Sequence, residues 1–392
     1  MLGGIPNLLG EIPNLLGGKG LSSNKGALVI VIFRPGAAAD APPLPTESRL
    51  SARLETLLNR NGIPHEIWRP ATLPEAADMA RKASTLSPVV AAAGGDGTIN
   101  AISGGLAGTD CCLGILPVGS GNDIARGLKV PRKLSAAVTL LANGCRLLQS
   151  GTLQQSGNVM QSGTVLKSGN VMQSGTVLKS GTVLKSSSES CGKKPDASIR
   201  KIDIGVCTAS NQTDENSRQR RPLGYHFINT LGFGFDGRVA WNASRMKCLR
   251  GKLKYLAGVL QSLFFYRATD MTITADGETY SGRYLMVTVA NGPFEGGGIP
   301  IAPRADPTDG VFDLVMIHDT GIFARIPLLL RVLLFGTSDS RSIRLKQCRT
   351  VHVTSGQPVM AHTDGEVISP GLTKFSASIQ PAQLSVIGPA ID

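Results

Sequence analysis

The chain has 392 residues, 42% hydrophobic, 17% charged and 5% aromatic, and its 40 Lys and Arg outweigh 28 Asp and Glu for a net charge of +12. This length and apolar content provide for two domains with a sizeable core and exclude a globally disordered chain. The positive surplus suits an anionic partner, but no aromatic cluster interleaves with the basic residues, so nucleic acid is not expected.

In chain order, residues 4–10 and 11–17 are a near-duplicate, GIPNLLG then EIPNLLG, and 1–24 is read as a flexible leader. Ala27–Phe33 is a continuous apolar run, as a strand buried on both faces requires. Ser48–Asn59 has helical spacing, His65–Trp68 reads as a short strand and Pro74–Ser84 as a helix. Pro88–Ala93 and Cys112–Leu116 are two more buried strands, each followed by a helix. This alternation predicts an α/β nucleotide-binding domain over 25–147, with a Rossmann-like parallel sheet.

From Ser150 to Lys185 the chain reads as six hexapeptides beginning Ser-Gly. A period of six is compatible with a β-helix. Gly in every unit and the lack of alternation favour a low-complexity insert over 148–200. Beyond it, strand-like runs recur at Tyr225–Thr230, Asp270–Ala275, Tyr284–Ala290, Gly310–Ile317, Thr350–Thr354 and Val359–His362. One helix, Lys252–Tyr266, interrupts them. The second domain, 201–375, is therefore expected to be β-rich.

Seven cysteines show neither a CxxC pair nor zinc spacing and read as reduced thiols of a cytosol-like compartment. No segment reaches the roughly eighteen uninterrupted apolar residues of a membrane span. The nearest, Ile322–Phe335, is broken by Arg325, Pro327 and Arg331, and no secretory signal is evident. A cytoplasmic protein that visits a membrane peripherally is expected.

The strongest local signal is Gly94-Gly95-Asp96-Gly97-Thr98-Ile99-Asn100, between a buried strand and a helix. Glycines there let backbone N–H groups approach a phosphate, and the helix N-terminus adds its positive end. Asp96 offers a carboxylate for Mg²⁺ or for a hydroxyl proton. A tight turn without a ligand would use the same residues. Pro117-Val-Gly119-Ser120-Gly121-Asn122-Asp123 repeats the arrangement at the next strand end, and two such loops side by side form a crevice for one nucleotide. Neither is a Walker A sequence.

Asp306-Pro-Thr-Asp309-Gly310-Val311 can present oxygens to a hard cation, or form a plain surface turn. His362-Thr-Asp364-Gly365-Glu366 carries an Asp-Gly that commonly closes a hairpin, with a second carboxylate two residues on. Gly232-Phe-Gly234-Phe-Asp-Gly237 fits a dinucleotide fingerprint but lacks the acidic residue that should follow. From Gly237 to Thr269 no Asp or Glu occurs, while seven Lys or Arg do. The helix there suits anionic lipid headgroups, or an ordinary core helix with a solvated basic side.

Taken together, GGDGTIN (94–100), PVGSGND (117–123), LGFGFDG (231–237), NGPFEGGGIPIAPRADPTDG (291–310) and TDGE (363–366) resemble, in order, the diacylglycerol kinase catalytic family. The likeness is to its soluble bacterial-type lipid kinases, which are related to sphingosine kinases. It runs from about Ala27 to Gly388, apart from the insert. It implies a nucleotide domain, a C-terminal β-sandwich, a cleft between them for ATP and lipid, and a last strand, 376–392, returning to the first domain. By carry-over, residues 94–100 with Gly119, Ser120, Gly121 and Asn122 contact ATP. Asp306, Asp309 and Val311 hold a structural Mg²⁺. Glu366 is the proton acceptor, Asp96 its rival for that role, and Asp364 completes the catalytic acidic network. Departures from the family pattern are Arg34-Pro-Gly-Ala after the first strand and a poorly placed Thr72 after the second.

The expected activity is ATP-dependent phosphorylation of diacylglycerol or a related lipid. An NAD kinase-like enzyme and a non-catalytic lipid-binding relative are the alternatives. Lipid and an anionic membrane surface are the expected partners, and a homodimer stays open.

Overall fold

The computed structural model describes residues 28–34, 45–150, 196–210, 223–246 and 252–390. It opens with β1 (Val29–Arg34), buried through Phe33, and continues through α1 (Pro45–Arg60), β2 (His65–Trp68), α2 (Leu73–Ser84), β3 (Val89–Gly94), α3 (Asp96–Leu106), β4 (Cys112–Pro117), α4 (Asp123–Gly127) and α5 (Leu134–Gln149). β1 pairs in parallel with β2 and β3, and β3 with β4, giving the spatial order β2-β1-β3-β4. Apolar residues fill β1, β3 and β4 because helices cover both faces, leaving no water-facing side for alternation to mark, while the edge strand β2 is only partly covered. Gly94 stands opposite Pro117, so the turns leaving β3 and β4 emerge side by side.

The second half runs β5 (Ser198–Ser210), β6 (Leu223–Phe227), β7 (Thr230–Gly234), α6 (Phe235–Arg245), α7 (Lys252–Phe265), β8 (Thr269–Ala275), β9 (Glu278–Ala290), β10 (Phe312–His318), α8 (Ile322–Phe335), β11 (Ile343–Cys348), β12 (Thr350–Thr363) and β13 (Glu366–Gly388). These strands pair antiparallel with one another around a core that includes Phe227, Phe233, Phe312 and Phe375. A separate cluster on the helical side includes Phe235, Val239, Leu285 and Val332. β13 leaves a hairpin with β12, runs along β5, and ends with Ser385 and Val386 in parallel register with Cys112 and Leu113 of β4. One strand thus joins the two domains into a single 13-stranded sheet.

Several elements differ from the sequence reading. Among the described residues, the β-rich domain holds three helices rather than one. α6 grows directly out of β7 because Gly234, at φ 87°, makes the corner. α8 is largely apolar on its outer face as well as its inner one and so lacks the contrast that marks a helix. The runs 350–354 and 359–362 belong to one strand, β12, whose pairing shifts register between Thr354 and Val359. α5 continues to Gln149 and β5 starts at Ser198, so the bounds 148 and 200 fall inside regular elements. The leader 1–24, the repeats beyond Ser150 and the loop 35–38 lie outside the described residues.

Candidate functional site

Gly95 is the N-cap of α3 and Asp96 its first residue. The first amide groups of a helix have no partner within it, so they face out of the β3–α3 turn. Gly95 and Gly119 touch back to back: a Cβ on Gly119 would collide with the Cα of Gly95. Only hydrogen side groups permit this approach of the two loops. Asn122, at φ 56°, closes the second loop on itself, accepting from the Gly119 N–H (3.0 Å) and donating to its carbonyl (2.8 Å).

Asp96 sits beneath this junction. Its Oδ1 accepts from the Ile124 N–H at 2.9 Å, and its Oδ2 lies under the Cα of Gly121. Burial, then the neighbouring carboxylate of Asp123, push its pKa up to about 7 despite the Ile124 hydrogen bond, with Asp364 adding to the rise. A carboxylate held this close to neutrality is poised to take a proton or a cation. Asp123 is spent otherwise: it pairs with Arg126 (2.6 Å) and accepts from Gly297 N–H (2.6 Å), fastening the 291–299 loop to the first domain.

The second domain contributes the β12–β13 hairpin. Asp364 (φ 49°) and Gly365 (φ 84°) form its two-residue turn, with Thr363 opposite Glu366. Glu366 projects onto α3, where a Cβ on Gly97 would come within 2.5 Å of its Oε1. Asp364 Oδ1 accepts from the N–H groups of Asn229 (2.9 Å) and Thr230 (2.8 Å), and Oδ2 from Ile228 N–H (3.0 Å) and Asn100 Nδ2 (2.5 Å). Four donors fill the lone-pair sites of a carboxylate.

Several expected roles change on these contacts. Asp364 has no oxygen left for a proton or a metal, so it is a positioning residue that ties the hairpin to α3. Asn100 spends its amide on Asp364 and on the His226 carbonyl (3.2 Å). Thr98 is buried and donates to the Arg34 carbonyl (3.2 Å), and Ile99 is wholly in the core. From 94–100 a ligand can therefore reach backbone amides and Asp96, not the side chains of 98–100. Ser120 is exposed, and its hydroxyl is free to turn to a ligand. Thr72 is the N-cap of α2, its hydroxyl accepting from Glu75 N–H at 3.2 Å.

Three cations that the motifs did not single out lie beside the same loops. Arg53, Arg132 and Lys133 line a cavity of about 710 Å³ together with Gly119 and Asn122. Their signal in sequence is weak, because Arg and Lys on a basic chain stand out only once the fold gathers them.

The loop before β10 holds Asp306, Asp309 and Val311. One oxygen of Asp306 closes a turn with Thr308, and Asp309 Oδ1 accepts from Val311 N–H (3.1 Å). Burial pushes Asp309 up to about 6, with Asp306, Asp313 and Asp203 adding to the rise. Asp203, buried on β5, braces this loop by accepting from Gly310 N–H (2.8 Å) and reaches β13 through Ala382 N–H (2.7 Å). Asn291 links it to the turn between β6 and β7 whose amides hold Asp364, donating to the carbonyls of Asp203 (3.1 Å) and Ile228 (2.9 Å).

A further buried group was invisible in sequence. His362 Nε2 lies 2.8 Å from Glu295 and 3.1 Å from Asp236, all three buried. Gly365 N–H donates to Nδ1 at 3.2 Å, which in the neutral ring puts the proton on Nε2, between the two acids. The acids raise His362 well above the usual histidine range against its burial. Burial first, then Asp236, push Glu295 up to about 8. A metal ligand at Nε2 needs that nitrogen bare, so this tautomer disfavours a metal there. The cluster holds the 291–299 loop and α6 against the hairpin that carries Glu366.

Residues 45–148 match the diacylglycerol kinase catalytic domain, and residues 229–388 match the YegS C-terminal NAD kinase beta sandwich-like domain. The diacylglycerol kinase of Bacillus subtilis (strain 168) is 25% identical over 283 residues, 71% of each chain. A protein named probable lipid kinase YegS-like, from Pectobacterium atrosepticum, is 22% identical over 300 residues, 75% of this chain and 76% of that one. The crystal structure of a diacylglycerol kinase from Bacillus anthracis str. Sterne superposes with a TM-score of 0.56 at 17% identity, covering 94% of this chain and 98% of that one.

Proposed function

We propose that this chain, which belongs to the diacylglycerol kinase catalytic family, transfers the γ-phosphoryl group of ATP to the hydroxyl of diacylglycerol or a related lipid. Its membership of a lipid kinase family rests on the two matched domains and on the relatives above. The observation that carries the finer reading is the convergence, across two domains, of paired glycine turns, the near-neutral Asp96 and the exposed Glu366.

A triphosphate fits what is present. Amide groups at the start of α3 and the cations Arg53, Arg132 and Lys133 supply positive potential around the Gly95–Gly119 junction. The side chains there are small enough for close approach. A magnesium ion also fits the donor set: Asp309 is raised by burial and by neighbouring acids, as hard oxygen ligands short of positive charge are. Asp306, Asp309 and the backbone at Val311 would hold a structural ion, and Asp96 would face the one that accompanies the nucleotide. Mg²⁺ bound there supplies neutralisation of phosphate charge.

The chain's own groups then divide the work. The glycine turns position the phosphates. Glu366 or Asp96 accepts the proton of the lipid hydroxyl as its oxygen attacks the γ-phosphorus, and ADP leaves. Asp364, by locking the hairpin to Asn100, sets where Glu366 stands relative to Gly97.

The test is a thin-layer assay with labelled ATP, a panel of diacylglycerol, phosphatidylglycerol, ceramide and sphingosine, and NAD as the competing acceptor. Labelled phospholipid, abolished by Asp96→Asn and at least about 100-fold reduced by Glu366→Gln, is the expected result. Phosphorylation of NAD alone, or lipid labelling that survives Asp96→Asn, contradicts the reading.

A further inference from the structure

Eleven large apolar side chains stand exposed among the described residues, and nine of them lie on α7 and α8. Single exposed leucines need no explanation, but their concentration on two helices in mutual contact does. α8 turns Arg325 and Val332 inward. The opposite stripe, at steps of three and four residues, reads Phe323, Ile326, Leu330 and Leu334. On a helix facing water that stripe would be polar. Here Phe323 is 90% exposed and Phe335 78%, and α7 adds Phe265 at 79%.

The pair is held rigidly. Buried Arg325 donates to the Tyr266 carbonyl just past the end of α7 (2.7 Å) and pairs with Asp319 (3.0 Å). Past the end of α8, Thr337 donates to the Ile301 carbonyl (2.6 Å). Ile301 belongs to the same loop that carries Glu295 and meets Asp123 through Gly297. The apolar faces are therefore anchored to the segment that fastens the second domain to the nucleotide-binding turns.

We infer that the outer faces of α7 and α8 are a docking surface that inserts into the interfacial region of an anionic lipid bilayer. Charge decides between this occupant and a second copy of the chain. No Asp or Glu occurs from Gly237 to Thr269 or from Thr320 to Ser338, whereas Arg245, Arg267 and Arg331 are exposed on these stretches. A second copy would set cations against cations, while anionic headgroups complement them as the apolar stripe enters the acyl boundary. The purpose of such a surface rests on the lipid-kinase reading; its test does not.

The test is co-sedimentation of the full chain, without ATP, with phosphatidylcholine vesicles that contain or lack phosphatidylglycerol. Wild type and the control Leu86→Glu, exposed but away from these helices, should sediment with the anionic vesicles, less so at high salt. The double variant Phe323→Glu/Leu334→Glu should lose apparent affinity by about ten-fold or more. Both side chains are exposed, so an unchanged thermal transition checks that the variant is folded. Undiminished sedimentation of the double variant overturns the proposal. So does a wild-type dimer that this variant converts to monomer while neither form binds vesicles, since the surface then joins two copies. Loss of sedimentation on deleting residues 1–27, with the double variant still bound, assigns the anchor to the leader and also overturns it. Failure to phosphorylate any lipid would sink the kinase reading while leaving the vesicle result standing.

Discussion

The carboxylate of Glu366 rests against the bare α-carbon of Gly97, so that the first residue of the last strand, β13, meets the first turn of α3 in the first domain. The two have no hydrogen bond between them; they are matched by the space a side chain would have filled. Gly97→Ala should therefore push Glu366 aside. The displaced atoms are the far end of a flexible, exposed side chain, so stability should change little, while displacement of about an ångström should lower kcat about 100-fold. Parallel measurement of lipid phosphorylation and thermal unfolding checks this, and a Gly97→Ala enzyme with wild-type turnover would refute it.

Asp96 should have a cost that depends on pH. Its pKa is raised to about 7 in the folded chain, which retains the proton at pH values where the unfolded chain has released it. Stability then falls as pH rises from the ordinary Asp range through about 7. Without nucleotide and metal, Asp96→Asn should melt above wild type at pH 8, with the gap narrowing toward pH 5, although it removes activity. Thermal scans across pH decide this, and equal melting temperatures at pH 8 would count against it.

Asp364→Ala should destabilise by roughly 3 kcal/mol or more, because it strands three buried backbone donors and the Asn100 amide at once. Asn100→Ala removes one of those donors and should cost less. Denaturant titration of both single variants and the double tests whether the residues act together, as a coupling energy well above about 0.5 kcal/mol would show.

Glu295 is raised to about 8 by burial and by Asp236, so near neutral pH it carries a proton, which Gln imitates. The folded chain holds that proton above the pH at which the unfolded chain loses it, so wild-type stability declines as pH rises toward and through about 8. Glu295→Gln should match wild type near pH 4, where folded and unfolded chains both hold the proton, and exceed it at pH 9. A variant less stable than wild type at both values would show that the ionised acid is what the cluster requires.

Much of the first domain was readable because its signals are local. A run such as Val29–Phe33 can only be a doubly covered strand, and glycine turns after successive buried strands place two loops in one crevice. Asp96 and Glu366 were legible through the motifs around them. The roles of Asp364, Asn100 and Thr98 were not, because their partners lie 264, 264 and 64 residues away in sequence. The cluster of His362, Glu295 and Asp236 was hidden for the same reason: each lies in a different motif, and only the fold brings the three together. α8 failed differently. Its outward stripe is apolar, so the period that separates a covered from a wetted face is missing, and that same lack of contrast is what makes the surface unusual.

The return of β13 to β4 also bears on how the chain acquires its shape. β4 is synthesised early, yet the strand that covers its free edge arrives only after the whole β-rich domain has been made. Until then the nascent first domain carries a bare hydrogen-bonding border on a strand that is wholly buried in the finished fold, the kind of edge that recruits foreign strands. Newly made chains should thus need shelter by chaperones during translation, and a tag or truncation near Ser385 should harm yield more than an equal change at a surface loop.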